Sequence, residues 1–135
     1  MILIDAGPLV ALADPLDAHH RQCVELATTL LNPQITTWPV LAEAAWIMRR
    51  SQHFFLRLLP SFANGEIAIH QAGSEALTWM VDFMDRYSNM RAQLADASLM
   101  YVAEREQIDT LFTLDRRDFS VYRTSKNRAL KIVPE

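Results

Sequence analysis

Ile2-Leu3-Ile4-Asp5-Ala6-Gly7-Pro8 opens the chain, and its reading decides the fold. Three consecutive apolar residues read as a strand buried on both faces, the kind found in a parallel sheet between helices. Asp5 closes the run, Gly7-Pro8 breaks it, and a short helix to about residue 13 follows. Working outward, Asp14-Pro15 is a turn, and Asp17 reads as the cap of a helix over 17–31 that Asn32-Pro33 ends. Residues 34–38 read as a second strand, and Pro39 suits the first turn of a helix reaching residue 50. A further helix is expected over 52–63, limited or kinked by Pro60, before an Asn64-Gly65 turn and a short strand over 66–70. Residues 74–87 are amphipathic, with Leu77, Met80, Val81 and Met84 on one stripe. A helix over 94–107, a strand over 110–114 and a short edge strand over 130–133 complete the pattern. Short apolar runs alternating with helix-period segments predict an α/β fold: a central parallel sheet of about four to five strands flanked by helices.

The chain has 135 residues, 50% apolar and 21% charged. That composition opposes intrinsic disorder and fits one domain over 1–135, with no repeat, linker or low-complexity tract. The apolar start, interrupted by Asp5, is too short to cross a bilayer and lacks the basic start and cleavage site of a signal peptide. A single cysteine, Cys23, forms no internal disulfide and points to the reducing cytoplasm. No CxxC or HExxH pattern supports zinc, and His19 with Cys23 supplies only two ligands one helical turn apart. The expected reading there is an exposed helix start with one buried cysteine; His53 and His70 have no partner pattern. Trp46, Met48, Phe54, Phe55, Trp79, Met80, Phe83 and Met84 read as core and subunit contacts. Phe54, Phe55, Leu58 and Leu59 make their helix too apolar to stand alone, so it packs in the monomer, in a dimer or against an amphipathic partner segment.

Net charge is −3, yet Arg116 to Lys131 holds six of the 13 basic residues and one of the 16 acids. A basic segment on an acidic body suits a polyanion held at one edge, or simply a solvated surface.

Four acids stand where a core does not want them. Asp5 and Asp115 follow apolar strands, and ligands of open parallel sheets bind beyond the carboxyl ends of strands. At about 100° per residue, Asp96 shares a helix face with Leu99, Met100 and Ala103, with Ser98 and Arg105 opposite. Glu43 has Val40, Trp46 and Ile47 around it, with Arg50 two turns along the same side. Burying clustered carboxylates is costly unless they are paired or coordinated. An all-oxygen set with no base among it suits Mg2+ or Mn2+ rather than zinc.

These residues resemble a known family. Ile4-Asp5-Ala6-Gly7-Pro8-Leu9-Val10-Ala11-Leu12 and Pro39-Val40-Leu41-Ala42-Glu43 are similar to the first two acidic motifs of PIN-domain proteins. Ala95-Asp96-Ala97-Ser98-Leu99 is similar to the third, and Thr113-Leu114-Asp115-Arg116-Arg117-Asp118-Phe119 to the fourth. The resemblance implies a metal-dependent endoribonuclease that cleaves single-stranded RNA by in-line attack of a metal-activated water. It implies that Asp5, Glu43, Asp96 and Asp115 are catalytic metal ligands, with Asp118 as a ligand or a supporting group. Arg116 and Arg117 are the candidates to hold flanking RNA phosphates. Free-standing domains of this size are similar to VapC toxins of toxin–antitoxin pairs, which implies a homodimer and a small antitoxin whose C-terminal part covers the active site. One departure is Gly7, where many members of the family carry a hydroxyl residue; a tight turn before Pro8 is its expected role.

Two other readings stay open. A non-catalytic PIN-like module would bind RNA or protein without cleaving. An aspartyl phosphatase would use Asp5 as nucleophile, but the second Asp that haloacid-dehalogenase phosphatases carry two residues later is Gly7 here.

Overall fold

β1 (Ile2–Ile4) lies at the centre of a five-stranded parallel sheet, described with the rest of residues 1–135 in a computed structural model. α1 (Ala6–Ala13) and α2 (His20–Thr29) lead to β2 (Gln34–Thr36), then α3 (Trp38–Ile47), α4 (Gln52–Ala63) and β3 (Ile67–Ile69). α5 (Glu75–Arg86), a 3-10 turn at Ser88–Met90 and α6 (Leu94–Arg105) precede β4 (Thr110–Phe112), α7 (Arg116–Phe119) and β5 (Lys131–Val133). The strand order is β3-β2-β1-β4-β5, with Leu3 paired to both Ile35 and Leu111. The α/β fold expected from the sequence is therefore present, and β5 occupies the predicted edge. Chain direction across the sheet reverses at β1, which has β2 on one side and β4 on the other. The crevice for a ligand opens beyond the carboxyl ends of that central pair.

Local chemistry explains the boundaries. The Thr37 hydroxyl accepts from the Val40 amide as the α3 N-cap, with Pro39 in the first turn, so β2 ends at Thr36 rather than residue 38. Asp115 caps α7, a helix absent from the sequence reading, and β4 accordingly stops at Phe112. Asp17 does not cap α2. Its carboxylate accepts from the His19 amide in an exposed turn, and the helix begins at His20. Pro60 lies inside α4, which runs on to Ala63.

One cluster of 32 buried residues forms the core. Two predicted faces are corrected. α5 buries Ala76, Met80 and Phe83, leaving Leu77 and Val81 exposed, because the stripe at spacings of three and four is set by Phe83 packing on Trp79, Tyr87 and Tyr122. α6 is buried almost all round, and Ser98, expected to face away from the core, shares a 2.7 Å hydrogen bond with Thr37. Trp46, assigned to core or subunit contacts, is exposed with the Arg49 guanidinium 4.0 Å from its ring centre. Leu58 is buried, and Phe54 and Phe55 pack partly against the core, so α4 spends much of its apolar face within the monomer. Cys23 is fully buried, while the His20 ring meets the Ala11 carbonyl at 2.6 Å. No helix is long and apolar enough to cross a membrane.

Leu111 in β4 is fully buried between two paired strands. Leu111→Ala is expected to lower unfolding free energy by about 3 kcal/mol, the usual cost of a core truncation. Urea denaturation checks this as a lower midpoint at an unchanged slope.

Candidate functional site

Asp5, Glu43, Asp96 and Asp115 line one open cleft of about 340 Å³, together with Ala6, Gly7, Ile47 and Leu114. Four separate elements deliver them. Asp5 is the N-cap of α1 at the end of β1, Asp115 caps α7 after β4, Glu43 projects from the middle of α3, and Asp96 lies in the first turn of α6. Asp118 does not line this cleft. It lies beside it, in a neighbouring cavity, and its charge acts on Asp96.

Asp5 is 7% exposed, so its carboxylate needs internal partners. One oxygen accepts from the Ala6 amide at 2.8 Å, the other from the Thr113 hydroxyl at 2.7 Å. Burial still wins: with Asp96 and Glu43 adding repulsion, the Asp5 carboxyl is pushed up to about 6. Glu43 is also held above the usual carboxylate range, by burial first and then by Asp96 and Asp115. Asp96 is raised by burial despite accepting from the Tyr122 hydroxyl at 2.9 Å, with Asp115 and Asp118 repelling it. Tyr122 is itself buried among Phe83, Tyr87 and Phe119. Burial beside these acids drives its phenol far above its ordinary range, so it remains a donor.

No base neutralises the group. The four ion pairs of the structure involve other residues, and Glu43 forms none with Arg50. The donor set is oxygen only, the kind that a hard divalent cation takes. No three acid, His or Cys side chains are drawn together tightly enough to form a metal-holding group.

Thr113, Tyr122 and the hydroxyl pair Thr37–Ser98 escaped sequence reasoning. Thr113 joins Asp5 to Asp115, donating to the first and accepting from the amide of the second at 3.0 Å. Its position two residues before the strand-end acid Asp115 was the available signal; Tyr122 offered none. The basic segment does not converge on one edge. Arg116 donates to the Pro134 carbonyl at 2.6 Å, Arg123 to three nearby carbonyls, and Lys131 pairs with Glu135. Lys126 and Arg128 line a cavity with Asp109, at the start of β4 and so at the far end of the sheet. Gly7 lies within α1, not in a turn that needs glycine, and a Cβ there would make ordinary contact with Leu114 at 3.5 Å.

The raised Asp5 carboxyl has a definite consequence for pH. The folded state favours its protonated form, so metal-free protein gains stability as pH falls from about 7 through 6 toward the unfolded value of 3.8. The full effect is about 3 kcal/mol. Thermal melts in EDTA are expected to show a rising Tm over that window, and Asp5→Asn is expected to flatten the rise. Gly7→Ser is expected to fold with about 0.5 kcal/mol more stability from helix propensity, checked by the same melts.

No protein-family model matches the sequence. Ribonuclease VapC26 of Mycobacterium tuberculosis is 24% identical over 98% of this chain and 100% of its own length. Among solved structures, Mycobacterium tuberculosis VapC20, described as a sarcin–ricin loop cleaving toxin, superposes with a TM-score of 0.80 at 15% identity, covering 87% of this chain and 92% of that one. FitAcB from Neisseria gonorrhoeae superposes with a TM-score of 0.60 at 17% identity, over 86% and 88% of the two chains. The chain thus shares its fold with VapC20 and FitAcB, sets four acids at the carboxyl edge of its sheet, and is similar in sequence to a VapC ribonuclease along nearly all of its length.

Proposed function

We propose that the chain is a metal-dependent endoribonuclease acting on single-stranded RNA, and that it is the toxin of a toxin–antitoxin pair. The observation that carries this reading is the cleft itself: four carboxylates from four elements, gathered at the ends of β1 and β4 with no base to balance them. Likeness to a named VapC ribonuclease supports the reaction class. Likeness to VapC proteins and to FitAcB supports a small antitoxin as partner. A homodimer and a cytoplasmic location are part of the same proposal, on the resemblance of the sequence motifs and the single cysteine.

Asp5, Glu43, Asp96 and Asp115 would hold Mg2+ or Mn2+, with Asp118 as an adjoining carboxylate. All-oxygen donors with no base among them fit a hard ion. Such an ion, when bound, polarises a phosphodiester and lowers the pKa of a water suited to in-line attack. The protein's own part is orientation. Thr113 fixes the Asp5 carboxylate, and the Tyr122 hydroxyl, a donor, fixes one oxygen of Asp96. Arg116 and Arg117, at the rim beyond Asp115, remain the candidates to hold RNA phosphates, Arg117 with its guanidinium free of protein partners.

The test is incubation of purified protein with a mixed pool of structured RNAs in magnesium, manganese or EDTA, beside Asp96→Asn. Cleavage is expected with metal only, and the variant is expected to lose roughly a hundredfold or more. Equal cleavage by both proteins, or none from folded protein with bound metal, would overturn the reading; the second result would favour a non-catalytic binding module.

A further inference from the structure

We infer that Arg91 and Arg117 form a phosphate-binding subsite beside the acidic cleft, one that holds a backbone phosphate of an RNA strand next to the phosphodiester lying at the carboxylates. The inference rests on the ribonuclease reading and deepens it by naming where the strand is gripped.

Both arginines line one open cavity of about 550 Å³, with Asn89, Met90, Asp118 and Val121. They reach it from different parts of the chain. Arg91 ends the 3-10 turn before α6, and Arg117 lies in α7. The cavity adjoins the cleft, because Asp118 on its wall donates its backbone amide to the carboxylate of Asp115, which lines the cleft, at 3.1 Å.

Neither guanidinium is spent on the protein. Arg21 pairs with Glu25, Arg49 donates to the Trp46 carbonyl, Arg116 to the Pro134 carbonyl and Arg123 to three carbonyls, whereas the side chains of Arg91 and Arg117 have no ion pair or hydrogen bond. These two guanidinium groups share the cavity wall with one acid, Asp118, so the cavity is net cationic. Their planar forks match phosphate oxygens in a bidentate way that ammonium groups do not.

The cleft supplies the reason for such a grip. Four carboxylates repel a polyanion, so an RNA strand needs a cationic hold close by to bring a phosphodiester among them. Asp118, on the boundary, keeps the held phosphate on the arginine side. The geometry divides the sequence-derived pair: Arg117 belongs to the subsite, Arg91 is its unforeseen partner, and Arg116 is engaged at the C-terminus.

The test measures binding of a short, fluorescent, mixed-sequence single-stranded RNA to the full chain across a salt series, in an Asp96→Asn background that prevents cleavage. Arg91→Asn suits the left-handed backbone there, φ 56°, which asparagine tolerates better than alanine. It and Arg117→Gln are each expected to weaken binding about tenfold at low salt. Each is also expected to reduce the slope of log affinity against log salt by about 0.7, the value for one lost phosphate contact to a single strand. Arg116→Gln is expected to have the smaller effect, and Arg91→Lys to recover part of the slope. Unchanged affinity and slope in both Arg91→Asn and Arg117→Gln, with Tm retained, would overturn the subsite, as would failure of the parent to bind RNA. Parallel cleavage assays without the Asp96 change separate the two readings. Reduced slopes without any cleavage would uphold the subsite and overturn the nuclease; cleavage with unmoved slopes would do the reverse.

Discussion

The placing of four carboxylates against a buried core is the constraint around which the carboxyl edge of the sheet is arranged. Burial raises the proton affinity of Asp5, Glu43 and Asp96, and repulsion from neighbouring acids raises it further. The fold answers with hydrogen bonds placed on individual oxygens. Thr113 and the Ala6 amide hold Asp5, Tyr122 holds Asp96, and the Asp118 amide holds Asp115. Two of the acids also serve as helix caps, so backbone donors at the starts of α1 and α7 are satisfied by side chains that the site requires anyway. Neutralising either acid with a residue that cannot cap therefore disturbs helix and site together, whereas asparagine preserves the first while altering the second.

Much of the fold was legible because the signals were local. Ile2-Leu3-Ile4 could only be a doubly buried strand, Asn64-Gly65 marked a turn whose glycine has φ 84°, and α4 spans the predicted residues. Asp5, Glu43, Asp96 and Asp115 were legible for a different reason, as acids out of place against apolar neighbours. What escaped was tertiary. Period analysis of α6 assumed one wet face, yet small residues at Ala95, Ala97 and Ala103 let neighbouring elements close over nearly all of it. The α5 face was misplaced because aromatic stacking on Phe83, not the count of aliphatic residues, selects the buried stripe. Tyr122 reaches Asp96 across 26 positions, with no pattern to announce it.

Charge was the least faithful guide. Six basic residues within Arg116 to Lys131 suggested one electropositive edge, but backbone carbonyls and Glu135 occupy several of them, and two lie at the opposite end of the sheet. Clustering in sequence is a statement about chain length, and a loop that turns back on itself scatters it. Beside the acids, Arg91 and Arg117 are left without a partner, and only coordinates reveal that.

The sheet order also dictates when the cleft comes into being. β1 precedes the other four strands of the sheet in sequence and is the central one in space, and its neighbour β4 lies more than 100 residues further along. The Thr113 to Asp5 hydrogen bond spans 108 positions. Contacts of that separation form late, after the cost of closing a long loop has been met. During synthesis, the edge of β1 that pairs with β4 stays without that partner until residues 110–112 have been made. No nascent fragment ending before Asp115 contains all four acids, so the cleft comes together only once that residue has been added.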